Sequence, residues 1–381
     1  MMLRKEKQMT TYIDIHALQT LPPSNINRDF EGAPKTATFG GVPRQRVSSQ
    51  AWKHAIRKAF KDQSNPEMIG LRTKRVVDEI AKAVVEVDDS WSREDAEQAA
   101  TAVLSAAKIK TAVPKLRTDE EPRPAEAGYL LFLSTRQIEN IAKAIVANPD
   151  AKFSKKELTE LFDSSHSYDI AMFGRMIADA PDYNVDASVQ VAHAIGVSAT
   201  EPEFDFFTAV DDAVQNADET GAGMLGTIQM MSSTLYRYAT INVDALQENL
   251  GNETATEEAT TAFLSAFMSS LPTGKINTFA NQTLPYAVVV SVRNDRPISW
   301  VNAYEEALTN EGSGFRVAAA KRLADEAKAI DAMYDQKPVA TWVLTQLGDN
   351  NPLAELGELV NQTGLLEGVR EQVAKALTKA D

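Results

Sequence analysis

Ser48-Ser-Gln-Ala-Trp-Lys-His-Ala-Ile-Arg-Lys-Ala-Phe-Lys61 is the stretch that decides how this chain folds. Ser48 and Ser49 offer hydroxyls for a helix N-cap. Trp52, Ala55, Ile56, Ala59 and Phe60 recur at i, i+3, i+4, i+7 and i+8, the stripe through which a helix buries one face. Gln50, Lys53, Arg57 and Lys61 share another face. The spacing predicts an amphipathic helix over 49–61, apolar inward and basic outward.

Working outward, Tyr12–Leu18 (Tyr-Ile-Asp-Ile-His-Ala-Leu) alternates in polarity and predicts a strand. Thr20–Gly41, rich in Pro, Asn and Gly, reads as a long loop. Downstream, Tyr168–Met176, Thr234–Ile241 and Tyr286–Arg293 read as strands and Glu257–Leu271 as a helix. Taken in order these give β-α-β-β-α-β, the ferredoxin-like succession. RNA-recognition domains share that architecture, although the same order serves many unrelated functions. The stretch 62–165 is mostly helical in pattern and includes the capping box Ser154-Lys-Lys-Glu157. Ser188–Ile195 and Val339–Leu344 are further strand signals.

A net charge of −14, from 39 Lys and Arg against 53 Asp and Glu, argues against phosphate if read as a sum. Its distribution says more. Arg44, Arg46, Lys53, Arg57, Lys58 and Lys61 are consecutive charges with no acid among them. Between Arg175 and Lys275 the only basic residue is Arg237. This describes either ordinary wet surface, or a molecule with one basic and one acidic side that could stack on its own copies. Cysteine is absent, which excludes disulfides and thiolate metal sites and fits the cytoplasm. The charged start lacks the apolar run of a signal peptide, and no stretch reads as a transmembrane helix.

Motifs for chemistry are few. Gly221-Ala-Gly-Met-Leu-Gly226 fits G-x-G-x-x-G, and an NAD- or nucleotide-dependent enzyme is the alternative it raises. That fingerprint needs a buried strand before it and a helix opening at its end; an acidic polar stretch precedes it here. His16, His54, His166 and His193 form no H-E-x-x-H, and His16 and His193 read as packed strand residues. Asp211-Asp212 reads as a solvated face rather than a metal site. No nucleophile elbow or Walker motif occurs, so neither a metal nor a cofactor is expected.

The segment Asn27–Lys61 differs. Asn27 and Arg28 sit in a loop, and Gly40-Gly41 would let a backbone approach a ligand. Arg44 and Arg46 alternate along an extended stretch. Ser48 and Ser49 open a helix, and Lys53 and Arg57 prolong its positive face. The residues allow a phosphate track and equally allow a capped helix with a wet basic face.

Tyr12-Ile-Asp-Ile-His16, Asn27-Arg-Asp29 and Phe39-Gly-Gly…Arg46-Val-Ser-Ser-Gln50…Lys53…Arg57 closely resemble the CasC family. That is the repeated backbone subunit of the type I-E CRISPR Cascade complex. The likeness continues through Gly174-Arg-Met176, Val191-Ala-His-Ala-Ile195, Asp205-Phe-Phe-Thr-Ala-Val-Asp-Asp212, Leu225-Gly-Thr227, Tyr236-Arg-Tyr-Ala-Thr-Ile-Asn242 and Leu246-Gln-Glu-Asn-Leu-Gly251. The resemblance implies an α+β chain: an RRM/ferredoxin-like palm from 10–61, 167–195 and 229–381 (the last with C-terminal helices), a helical fingers insertion at 62–166 and a β-hairpin thumb at 196–228. It implies a non-catalytic subunit that binds CRISPR RNA, stacks head to tail with its own copies, meets target DNA through the guide and contacts other Cascade subunits. The implied RNA-binding set is Asn27, Arg28, Arg44, Arg46, Ser48, Ser49, Gln50, Lys53, Arg57, Arg175, Met176 and Phe207. Met176 would wedge beside a kinked nucleotide, and Phe207 would pack in the thumb near a displaced base. Two departures stand out: the family's basic doublet is here Lys53-His54, and the helices after Pro338 match least. Asp29 lies where related subunits carry a cleaving aspartate, but no ligand partner accompanies it, and cleavage is not expected.

Overall fold

The computed structural model describes residues 10–63, 68–115, 123–150, 152–209, 224–309, 312 and 314–378. Its strands are β1 (Tyr12–Ser24), β2 (Thr36–Phe39), β3 (Val42–Val47), β4 (Gly70–Thr73), β5 (Thr111–Ala112), β6 (Glu126–Ala127), β7 (Leu131–Ser134), β8 (Val189–Val191), β9 (Ala194–Gly196), β10 (Glu203–Ala209), β11 (Met224–Asn242), β12 (Ala287–Arg293), β13 (Ala340–Thr345) and β14 (Glu358–Leu359). The helices are α1 (Ser49–Gln63), α2 (Val76–Val87), α3 (Arg93–Ala106), α4 (Thr135–Ala147), α5 (Lys155–Phe162), α6 (Tyr168–Phe173), α7 (Val243–Leu250), α8 (Glu253–Ser269), α9 (Ile276–Phe279), α10 (Arg316–Tyr334) and α11 (Gln362–Leu377).

β1 is the centre of a ten-stranded sheet ordered β14-β13-β12-β1-β11-β9-β3-β2, with β8 and β10 also paired to β11. Both of its neighbours are antiparallel: Ile15 faces Ala239 of β11 and Val290 of β12. Because side chains alternate along a strand, β1 serves two cores. Ile13, Ile15 and Ala17 join Ile56 and Phe60 of α1 and Phe263 and Phe267 of α8. On the opposite face Leu18 packs with Tyr236, Tyr238 and Trp300. His16 shares that face: its ring stacks on Trp300 at 3.6 Å, and Nδ1 lies 2.8 Å from the Tyr236 hydroxyl. The strand outruns the seven residues expected of it. Pro22 and Pro23 are tolerated because pairing with β12 ends at Leu18, and the register against β11 slips between Leu21 and Ser24.

Two expectations fail here. Tyr168–Met176 is not a strand; its first six residues form α6. Tyr168, Ala171 and Met172, at i, i+3 and i+4, all enter the main core, so helical spacing overrode the β-like composition. β8 and β9, within the Ser188–Ile195 signal, take the place beside β11 instead. Nor is Thr20–Gly41 one loop: it finishes β1 and then builds the hairpin β2–β3. Gly40 and Gly41, at φ +58° and +79°, make that hairpin turn, and a Cβ on Gly40 would fall 1.6 Å from the Glu305 carbonyl oxygen. Gly40 thus admits the protein's own backbone rather than a ligand's, while Gly41 serves the turn.

The segment between α1 and α6 folds around its own apolar cluster. Val77, Ile80 and Val84 of α2, Val103 and Leu104 of α3, Ile141 and Ile145 of α4, and Phe162 form its centre. The capping box at Ser154 and Glu157 is present as the sequence predicts. The result is a mixed α+β fold with a multi-stranded sheet and a helical insertion. Among the described residues, no helix is long and apolar enough to cross a membrane.

Candidate nucleic-acid interface

The start of α1 is where the expected site residues converge. Ser48 is buried and works as a cap: its Oγ accepts from the Ala51 N–H at 3.3 Å. Its own N–H donates to Asn27 Oδ1 at 2.8 Å, clipping the Asn27–Arg28 loop to the helix. That loop is stiff, since Asp29 Oδ1 accepts from the N–H groups of Glu31 and Ala33. It leaves Arg28 exposed beside Phe30, which is 96% exposed. Asn27 to Phe30 and Gly274 line a concavity of about 460 Å³.

Arg46, at the end of β3, reaches the same helix start. Its Nε donates to the Thr36 carbonyl at 3.3 Å, and one terminal nitrogen lies 3.3 Å from His193 Nδ1. Ser49 is half-buried and Gln50 exposed. Lys53, one turn on, is half-buried with its ammonium 5.5 Å from the Phe173 ring centre. Partial desolvation pushes its pKa below the usual lysine value. The first turn of α1 carries no acid. Arg46, Ser49, Gln50 and Lys53, with Arg28 alongside, therefore form a rim rich in donors, suited to oxygen-rich anions such as phosphodiesters.

Three of the expected cations are placed differently. Arg44 is fully buried and donates to the carbonyls of Gly196, Tyr304 and Glu305 at 2.9, 3.1 and 3.1 Å. Arg175 is buried too, donating to Tyr183 O at 2.7 Å, Phe162 O at 2.5 Å and Gln137 Oε1 at 3.2 Å. Burial pushes its pKa down to about 10. These two guanidiniums staple backbone carbonyls, and burial removes them from any surface contact. Arg57 is partly exposed, but it pairs with Asp169 Oδ2 at 3.1 Å and stacks over the Phe132 ring. Its charge is largely spent inside the protein.

Met176 is 80% exposed, although Arg175 before it is buried. Gly174 makes this possible: at φ +76° it turns the chain so tightly that a Cβ would meet the Val185 carbonyl oxygen at 2.8 Å. The Arg175–Val185 bridge then holds the backbone extended, one side chain inward and the next outward. Phe207 lies on β10, which pairs with β11. It faces Gly226, where an added Cβ would come within 2.3 Å of its ring, so the ring covers the glycine and remains 36% exposed. Met224–Gly226 belong to a strand, so no helix opens after the G-x-G-x-x-G pattern and the dinucleotide reading fails. Gly221–Gly223 and Asp211-Asp212 lie outside the described residues, as does much of 196–228.

No spacing signal points to two further residues at this rim. His193, expected to be packed, is exposed and touches the start of α1. Lys35 is half-buried, and its charge reaches the same imidazole. Both arrive through tertiary folding from separate turns. Among the described residues, no group of three His, Cys, Asp or Glu side chains could hold a metal ion.

Comparison with known proteins adds a common descent to this geometry. No curated protein matches the chain. Among solved structures, a chain described as "CRISPR RNA-guided surveillance complex, pre-nicking" aligns at 35% identity with a TM-score of 0.82, covering 95% of this chain and 100% of that one. Another, described as "CRISPR RNA-guided surveillance complex", aligns at 30% identity with a TM-score of 0.72, covering 95% and 99%. A sequence profile matches from β1 into α11, residues 13–369, and by that match the chain belongs to the CT1975-like protein family.

Proposed function

We propose that this chain is a CRISPR RNA-binding backbone subunit of a Cascade-type surveillance complex, serving antiviral defence without catalysing a reaction. The observation that carries this reading is a donor-rich rim with no acid in its helical turn, within a fold aligned end to end with such complexes. Arg28, Arg46, Ser49, Gln50 and Lys53 contact the sugar–phosphate chain, with Asn27 and Ser48 holding the loop and the helix start in register. Met176 and Phe207 are the apolar contacts to nucleobases, which suit stacking and wedging because every base has an apolar face.

Several features support the finer architecture. β12, β1, β11 and β8/β9 lie side by side in the order expected of an RRM/ferredoxin-like palm built from 10–61, 167–195 and 229–381. The insertion at 62–166, with its separate apolar cluster, is the fingers. The ribbon of β10 and the first part of β11, within 196–228, is the thumb. Copies stack head to tail along the guide, basic rim against acidic flank, and target DNA is met through the guide.

The test is direct. The purified full-length chain should absorb as a nucleoprotein, and after stripping it should bind single-stranded RNA with affinity that falls steeply with salt. A chain that stays free of RNA and binds none at low salt would sink the proposal. Filaments that form equally well without RNA and ignore salt would instead indicate a general scaffold.

A further inference from the structure

His193 stands in the two-residue gap between β8 and β9, exposed, facing the start of α1. Its Nδ1 is 3.2 Å from the Ser49 backbone N–H and 3.3 Å from a terminal nitrogen of Arg46. A backbone N–H can only donate, and so can a guanidinium. Nδ1 must therefore be the acceptor of both, which leaves the ring proton on Nε2. The charged groups acting on the ring are Arg46 and Lys35, both cations, and α1 offers no acid in its first turn. Burial together with those two charges lowers the pKa of His193 below the usual value. A protonated ring would point a second N–H at two donors.

We infer that His193 is a positioning residue for the guide: its neutral Nδ1 locks Arg46 against the first turn of α1, and its outward Nε2–H is a further donor to an RNA oxygen. This rests on the RNA-binding reading above. Among the described residues, the Arg46 side chain is otherwise tied only through Nε to a β2 carbonyl. Two separate segments of the chain are thus needed to fix one cation, and neither contains an acid that would neutralise it.

The test uses the full-length chain and a fluorescently labelled single-stranded RNA. His193→Ala should weaken binding about five-fold, the effect of losing one or two modest hydrogen bonds. His193→Asn, whose Oδ1 can stand in for Nδ1, should recover most of the affinity. Equal binding by the alanine variant and the parent would overturn the inference, as would equal losses in the alanine and asparagine variants. If the parent itself binds no RNA, the functional reading fails instead, and the two failures are told apart in the same titration. ¹⁵N-histidine NMR of the unaltered chain avoids any folding defect in a variant. It should show His193 protonated at Nε2 near neutral pH, with a pKa that rises in Arg46→Ala; an Nδ1–H tautomer would refute the assignment.

Discussion

Arg44 and Arg46 stand two residues apart on β3 and leave the strand on the same side, yet one is sealed and the other is wet. Strand periodicity cannot separate them, because i and i+2 share a face. What separates them is covering. The Tyr304–Glu305 backbone lies over Arg44 and takes two of its three side-chain hydrogen bonds, whereas the Arg46 guanidinium, among the described residues, meets only Thr36 and the imidazole of His193. Arg175 and Met176 repeat the contrast one residue apart. A buried guanidinium bonded to carbonyls is a structural tie whose removal strands those acceptors. A half-exposed one keeps donors for a partner. Counting cations along the sequence overstates the binding surface, since the fold consumes some of them.

The largest effect should follow from removing a sealed cation. Arg175→Met, or Arg44→Met, leaves several buried carbonyls without donors and should cost about 3–5 kcal/mol of stability. Urea denaturation measures it. A variant that folds like the parent and loses only RNA binding would move that arginine into the interface and break the contrast.

Removing wet cations should do the opposite. Lys53→Ala should weaken RNA binding about ten-fold, or about 1.4 kcal/mol, with Arg46→Ala adding a loss of its own. The slope of log affinity against log salt should flatten by about one for each charge removed. The urea midpoint should barely move. An unchanged salt slope would show that these groups do not meet phosphates.

Acid should act through sealed groups. His16 is fully buried, and burial with the nearby Arg293 charge holds its pKa well below 6.5. The fold therefore keeps it neutral, while the unfolded chain protonates. This contribution is complete above pH 6.5 and is lost as pH falls, by up to about 1.4 kcal/mol per pH unit. Asp14 works the other way: desolvation raises it to about 6, so its contribution is complete below 3.8 and is lost as pH rises through 6. Stability should thus fall modestly between pH 7 and 6, fall only slowly between 6 and 3.8 where the Asp14 gain offsets the His16 loss, and fall more steeply below 3.8, where that gain is complete. His16→Gln should remove the first drop in urea midpoints measured across this range; a parent-like profile would show that His16 is not its source.

The smallest expected change in stability is at Met176. Met176→Ala should shift it by no more than about 0.5 kcal/mol, while altering the spacing of nuclease protection along a guide–target duplex. A loss of several degrees in melting temperature would return Met176 to the core.

Much of this fold was legible in sequence because period-2 and 3.6-residue spacings are local: β12 falls within its predicted stretch, and β1, α1 and α8 cover most of theirs and run past one end. Tyr168–Phe173 misled because six apolar-rich residues satisfy both periods. At the candidate site, the loop at Asn27, the cap at Ser48 and the wet face of α1 could be read from short-range pattern. The burial of Arg44 and the arrival of His193 could not. Each depends on a segment well over a hundred residues away in the chain, and no spacing rule spans that distance.

The position of β1 carries a consequence for biosynthesis. It emerges first, yet its partners begin only at Met224 and Ala287. A growing polypeptide must carry these thirteen largely apolar residues without those hydrogen-bonded neighbours until β11 and β12 have been made. Fragments that stop before Met224 should therefore be insoluble when expressed alone, and soluble accumulation of such a piece would show that early folding follows another route. Both flanking strands have to be synthesised before the central ribbon is sheltered on its two edges.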